Sequence, residues 1–229
     1  MDGSSTDFEA VIFDYGGVLC HPPSDGEIRE FAALAGIPDA GFRELYAKTR
    51  GPYDRGVIST GEYWRAFGRA AGLAYGEARV RALAAMDLRV WGRLDRRMIE
   101  LAARLQRAGV RTGILSNMHS ALRGILRSEA QWLGHFDVHV FSCDVGLIKP
   151  EPEIYQCLLE AVGAPPQRVF FIDDVPVNIE AARRSGIDGL VYRSFDELAD
   201  RLTPLISSRG GKEGRRRIAI DGGGGQAIG

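Results

Sequence analysis

Apolar residues fall into short unbroken runs in part of the chain and into helical spacing in the rest. Four runs, 10–15 (AVIFDY), 111–117 (RTGILSN), 138–144 (VHVFSCD) and 168–173 (RVFFID), each end in polar residues. Runs of this kind suit strands buried on both faces of a parallel sheet. A fifth, weaker run covers 189–192. Amphipathic stretches separate them at 95–108, 120–133, 151–162 and 177–185, the last closed by Gly186, and another at 195–205 follows the fifth run. The alternation predicts an α/β fold with a doubly wound, Rossmann-like parallel sheet.

Between about 20 and 93 the alternation stops. Helical segments occupy 25–35, 40–49, 61–71 and 77–88, punctuated by Gly36-Ile37-Pro38 and Gly72, with Ser59 or Thr60 as a cap for the third. This predicts a small all-helical cap, 20–93, inserted after the first strand of a core made of 1–19 and 94–206. Tyr63, Trp64 and Phe67 recur at near-helical spacing, as core residues of that cap. The segment 207–229 is rich in Gly, with Arg215-Arg216-Arg217 and the run Gly222–Gly225, and its composition predicts a flexible tail.

Composition narrows the class without naming the chemistry. With 45% hydrophobic and 26% charged residues in 229, the chain suits a globular core with a smaller insert. A formal net charge of −1 provides no field to steer it to nucleic acid or a membrane, and no apolar run is long enough to span a bilayer. Cys20, Cys143 and Cys157 form no CxxC pair, and residues 1–7 carry no apolar leader. The expectation is reduced thiols in the cytoplasm, with Cys20 a small buried hydrophobe and the protein a monomer or homodimer.

Ligands of open α/β sheets bind beyond the carboxyl ends of the strands. The first strand delivers Asp14 there, the second Ser116 and Asn117, the loop after the third Lys149, and the fourth Asp173 and Asp174. Three carboxylates against one lysine call for a divalent cation, and all-oxygen ligands favour Mg²⁺ over Zn²⁺. An ion pair of Lys149 with Asp144 is the competing, purely structural arrangement.

The pattern resembles the haloacid dehalogenase-like hydrolase superfamily, a group dominated by phosphatases. The matching motifs are Phe13-Asp14-Tyr15-Gly16-Gly17-Val18-Leu19, then Leu115-Ser116-Asn117, then Lys149-Pro150-Glu151-Pro152, and finally Phe171-Ile172-Asp173-Asp174 followed by Asn178-Ile179-Glu180. All four come in the family's order, and the likeness covers about 8–206. It implies an aspartyl-phosphate on Asp14. It also implies metal ligation by Asp14, the Gly16 carbonyl and Asp174, with Asp173 holding a metal-bound water. Ser116 would donate to the phosphoryl oxygens, Lys149 would neutralise charge, and Asn178 would orient ligands from behind. Asn117 either touches phosphate or shapes its loop. The expected substrate is a small phosphorylated metabolite.

The likeness fails at one position. Most phosphatases of the family carry a second Asp two residues after the nucleophile, where this chain has Gly16. That Asp protonates the leaving group, work worth about 10²–10⁴ in rate. Three readings stay open: His21 or His119 substitutes, the substrate has a good leaving group, or turnover is weak. The alternatives to a phosphatase are a 2-haloacid dehalogenase-type hydrolase and a phospholigand-binding regulatory protein. Substrate choice would fall to the cap and to the flap at 19–24. Arg50, Tyr53, Asp54 and Arg55 fall in a loop between cap helices, where they either face the site or are solvated.

Overall fold

The computed structural model describes residues 7–128 and 130–216. Five strands form one parallel sheet: β1 (Ala10–Phe13), β2 (Arg111–Ser116), β3 (Val138–Phe141), β4 (Val169–Asp173) and β5 (Asp188–Val191). Their order is β3-β2-β1-β4-β5, so the chain winds outward from β1 in both directions. Register aligns Phe13 with Ile114 of β2 and with Ile172 of β4. One residue further on, Asp14 therefore stands level with Leu115 and Asp173, and its N–H extends the ladder to the Ile172 carbonyl at 2.8 Å.

Both faces of the sheet are covered, because side chains alternate along each strand. Val11, Phe13, Ile114, Phe170 and Ile172 pack against α6 (Arg96–Arg107), α7 (Ser120–Ser128) and α12 (Phe195–Arg216). Ala10, Ile12, Leu115, Val169 and Phe171 pack against α10 (Pro152–Val162) and α11 (Pro176–Arg184). Between β1 and α6 come five helices: α1 (Asp25–Ala35), α2 (Asp39–Thr49), α3 (Gly51–Asp54), α4 (Thr60–Ala70) and α5 (Glu77–Val90). They share an apolar cluster of their own around Phe31, Phe42, Tyr63, Trp64, Phe67 and Leu83. Capping boxes start α1 at Ser24–Glu27 and α4 at Ser59–Glu62.

Several elements depart from the sequence pattern for identifiable reasons. Strand β3 ends at Phe141, which pairs with Ser116, the last residue of β2; with no partner beyond, the chain turns into α9 (Ser142–Val145). The stretch 120–133 divides into α7 and α8 (Ala130–Leu133), and the Ser128 hydroxyl at the division bonds back to the Ile125 carbonyl at 2.6 Å. Helix α3 follows Arg50 directly, with Pro52 in its first turn, where the missing N–H has no intrahelical partner to lose. Helix α12 continues past 205 to Arg216, and Arg209 holds it to the Phe8 and Gly109 carbonyls at 2.7 and 3.2 Å. The rest of the proposed tail, 217–229, lies outside the described residues. No helix among the described residues is long and apolar enough to cross a membrane.

Cap and core helices meet at one buried hydroxyl. Ser142 Oγ donates to the Asp54 carbonyl at 2.6 Å and accepts from the Met118 N–H at 2.7 Å. Ser142→Ala leaves both backbone groups without that partner and should lower stability by about 1–3 kcal/mol. Urea denaturation measures the change, and a value within experimental error of wild type contradicts this role.

Candidate active site

The carboxyl ends of β1, β2 and β4 bring Asp14, Ser116 and Asp173 to one edge of the sheet. Lys149 reaches them from the loop after α9. Its Nζ lies 2.6 Å from Asp173 Oδ2, 2.9 Å from Asp14 Oδ2 and 3.2 Å from the Leu115 carbonyl. The amine is buried, and burial works against its charge. Asp14 and Asp173 outweigh that penalty and hold the Lys149 pKa above its ordinary value.

The loop carrying Lys149 is fixed by Asn117. The Asn117 amide donates to the Lys149 carbonyl at 3.0 Å and its Oδ1 accepts from the Lys149 N–H at 2.8 Å. Both edges of that side chain are spent on the loop. Asp173 is fully engaged as well. Its oxygens accept from Lys149, from Asn178 Nδ2 at 3.0 and 3.1 Å, and from the Val175 N–H at 2.8 Å. Asn178 thus acts on Lys149 through Asp173. The structural alternative for Lys149 is excluded, because Asp144 pairs with Arg123 and Arg127 instead.

One oxygen each from Asp14, Asp173 and Asp174 lie within 4.8 Å of one another. Burial, reinforced by Asp173 and Asp174 and only partly opposed by Lys149, pushes the Asp14 carboxyl up to about 7. Burial and the Asp173 charge raise Asp174 too. Fully ionised, three carboxylates facing one ammonium would leave an excess of two negative charges, and hard oxygen donors without His or Cys suit a hard dication. The residues present fit Mg²⁺. Gly17 makes room for this arrangement: its φ is +72°, and a Cβ there would sit 2.3 Å from Asp174 Oδ2.

Above Asp14 lies a cavity of about 320 Å³. Its floor is Asp14, Ser116, Asn117 and Asp174. Tyr46, Arg50, Asp54, Trp91 and Leu122 wall it from above and the side. Of the four loop residues 50 and 53–55, Arg50 and Asp54 face the cavity; Tyr53 and Asp54 are buried, and Arg50 and Arg55 half-buried. Arg50 pairs with Asp54 at 2.9 Å and with Asp87 at 3.0 Å, while Tyr53 stacks on His119 with ring centroids 4.2 Å apart. Arg55 pairs with Glu151, joining the cap to the Lys149 loop.

Neither histidine stands at the reaction centre. His119 is 1% exposed, with Nε2 3.4 Å from Asp87 Oδ2, and it does not line the cavity. His21 is exposed and does not line that cavity; it lines an adjoining crevice with Asp95 and Arg97 that shares Gly17, Pro22 and Asp174 with it. Burial pushes the Cys20 thiol up to about 12, as expected of an inert buried cysteine. Sequence reasoning missed Trp91, Tyr46 and Asp87. Asp87 alone left a signal, an acid among the buried positions Val80, Leu83, Met86 and Val90 of α5.

The sequence profile of the haloacid dehalogenase-like hydrolases matches residues 8–186. Bifunctional epoxide hydrolase 2 of Rattus norvegicus is 30% identical over 205 residues, 80% of this chain; the chain spans only 36% of that relative. Sesquiterpene phosphatase astK of Aspergillus oryzae is 29% identical over 189 residues, covering 81% of this chain and 90% of its own. A HAD family enzyme from Bacteroides thetaiotaomicron, solved as a magnesium complex, shares the fold with a TM-score of 0.68. It is 20% identical and covers 84% of this chain and 98% of its own.

The raised Asp14 pKa has a measurable consequence in divalent-free buffer. Folded Asp14 keeps its proton to about 7, whereas its ordinary pKa is 3.8. Between those values the folded chain binds the extra proton, so wild-type stability falls as pH rises. Asp14→Asn removes this slope, and its stability relative to wild type should grow between pH 4 and pH 8 by on the order of 1–3 kcal/mol. Denaturant titrations across that range test it; a constant difference shows that Asp14 ionises in the fold as it does in water.

Proposed function

The chain belongs to the haloacid dehalogenase-like hydrolases, and from that membership we propose that it is a magnesium-dependent phosphatase of small phosphate monoesters. The reading rests on one observation. Asp14, Asp173 and Asp174 converge with a single lysine, which is already committed to two of them. Asp14 and Asp174, with the Gly16 carbonyl, are the groups that would hold Mg²⁺. Once bound, the cation offsets the repulsion between the Asp14 carboxylate and a dianionic phosphate.

The chain's own residues then divide the work. Asp14 attacks phosphorus; an O–P bond forms as the ester P–O bond breaks, and the leaving oxygen departs with the electron pair. Ser116 donates to a phosphoryl oxygen. Lys149 balances charge on Asp14 and on the transferred group, held at that distance by Asp173 and Asn178. Water attacks the aspartyl-phosphate, the P–O bond to Asp14 breaks, and the carboxylate is restored. The phosphatase among the relatives, which aligns over most of both chains, supports this reading.

Halide displacement at carbon would use the same nucleophile, but no dianion would then approach it. Asp174 would stand uncompensated, because Lys149 is engaged by Asp14 and Asp173. The carboxylate excess favours phosphate.

Phosphate release from a panel of small monoesters tests the proposal. Activity should require Mg²⁺, and stripping divalent ions should lower it at least about 10³-fold. Asp14→Asn should lose a similar factor, and Lys149→Met about 10²–10³-fold. Undiminished turnover without divalent ions, or with Asp14→Asn, overturns the reading.

A further inference from the structure

The cavity above Asp14 is polar below and carbon above. Tyr46, Trp91 and Leu122 form the upper wall, with Ala47 and Val175 at the mouth. Both of the last two are exposed, Val175 to 41%. The polar atoms of Tyr46, Trp91 and Arg50 are already used, and Asp54 Oδ1 is committed only through its ion pair with Arg50. The Tyr46 hydroxyl donates to Asp87 and accepts from Trp91 Nε1 at 2.9 Å and Arg50 Nη1 at 2.7 Å. Arg50, the one cation among the described residues of that wall, is matched by Asp54 and Asp87. A second phosphate would meet no unmatched cation, and a sugar's hydroxyls would lose water without gaining partners, which is unfavourable. An apolar group loses nothing there and gains dispersion contact with two aromatic rings.

A second observation concerns the leaving oxygen. A Cβ on Gly16 would lie 3.3 Å from Trp91 Cζ3, so the indole stands against the place where an acidic side chain would begin. The Tyr15 hydroxyl fixes this neighbour by donating to the Trp91 carbonyl at 2.7 Å. An aromatic ring thus stands where an acidic side chain at position 16 would reach toward a leaving oxygen. An alcohol resembles water, whose pKa is about 15.7, while a phenol ionises near 10. A phenolate can leave unaided where an alkoxide cannot.

Taken with the phosphatase reading, on which this rests, the geometry points to an aryl phosphate as substrate, its ring against Trp91 and Leu122 and its phosphate on Asp14. The Asp14 carboxylate forms the O–P bond, the aryl O–P bond breaks, and the phenolate leaves with the electron pair and takes its proton from solvent. Water then releases phosphate from Asp14.

The test compares phenyl phosphate, cyclohexyl phosphate and glucose 6-phosphate on the full chain with Mg²⁺. Phenyl phosphate should exceed cyclohexyl phosphate, nearly equal in size, by at least about 10² in kcat/KM, the low end of what a general acid supplies. Across ring-substituted phenyl phosphates, kcat/KM should rise as the phenol becomes more acidic. Ala47→Asp, at an exposed helical position, should lower kcat/KM for phenyl phosphate about tenfold and raise it for 4-(aminomethyl)phenyl phosphate, with attraction of order 1 kcal/mol converting to several-fold. Equal rates for the phenyl and cyclohexyl esters, or a preference for glucose 6-phosphate, overturn the aryl assignment while leaving a Mg²⁺-dependent phosphatase standing. Failure to release phosphate from any ester removes that reading and this inference together.

Discussion

A buried ammonium held between two carboxylates is the interaction on which this site depends. Lys149 is 3% exposed, and taking its charge out of water is tolerable only because Asp14 and Asp173 lie within 2.9 Å. Those carboxylates in turn are side by side because parallel register sets β1 level with β4. Sheet geometry therefore creates a local charge problem that one lysine solves only in part. The residual negative charge is what the proposed dication would offset, and through it the proposed phosphate.

The cap repeats that logic with different partners. Arg50 is enclosed by Asp54, Asp87 and the Tyr46 ring, whose centroid is 4.9 Å from the guanidinium carbon. Burial opposes its charge, and the surrounding Tyr46, Asp87 and Asp54 more than restore it. The two clusters differ in outcome. Around Lys149 negative charge is left over and exposed to the cavity; around Arg50 the charges close on one another and present ring carbon. One cavity thus presents a charged floor and an uncharged wall.

The strands were legible because a buried parallel strand needs consecutive apolar residues and the site needs polar ones directly after. That rule located Asp14, Ser116, Lys149, Asp173 and Asp174 without coordinates. What escaped was set by contacts distant in sequence. Arg50 and Asp87 are joined across 37 positions, and no local periodicity announces such a pair. The stretch with Arg50, Tyr53, Asp54 and Arg55 reads as a loop between cap helices, yet Gly51-Pro52 opens a helical turn that carries Asp54 to the cavity. His119 shows how little proximity in sequence settles. Two residues from Asn117 along the chain, it packs against the cap ring of Tyr53 instead of facing Asp14.

Ser142 has one proton and two carbonyls within reach, Asp54 at 2.6 Å across the cap boundary and Met118 at 3.3 Å on its own side. The hydroxyl works as a detachable tether. Were the cap to lift, its proton could rotate to Met118 and stay satisfied, so this one bond would break without stranding its donor. Separation of the two lobes at that point would also have to break their packing and the Arg55–Glu151 pair.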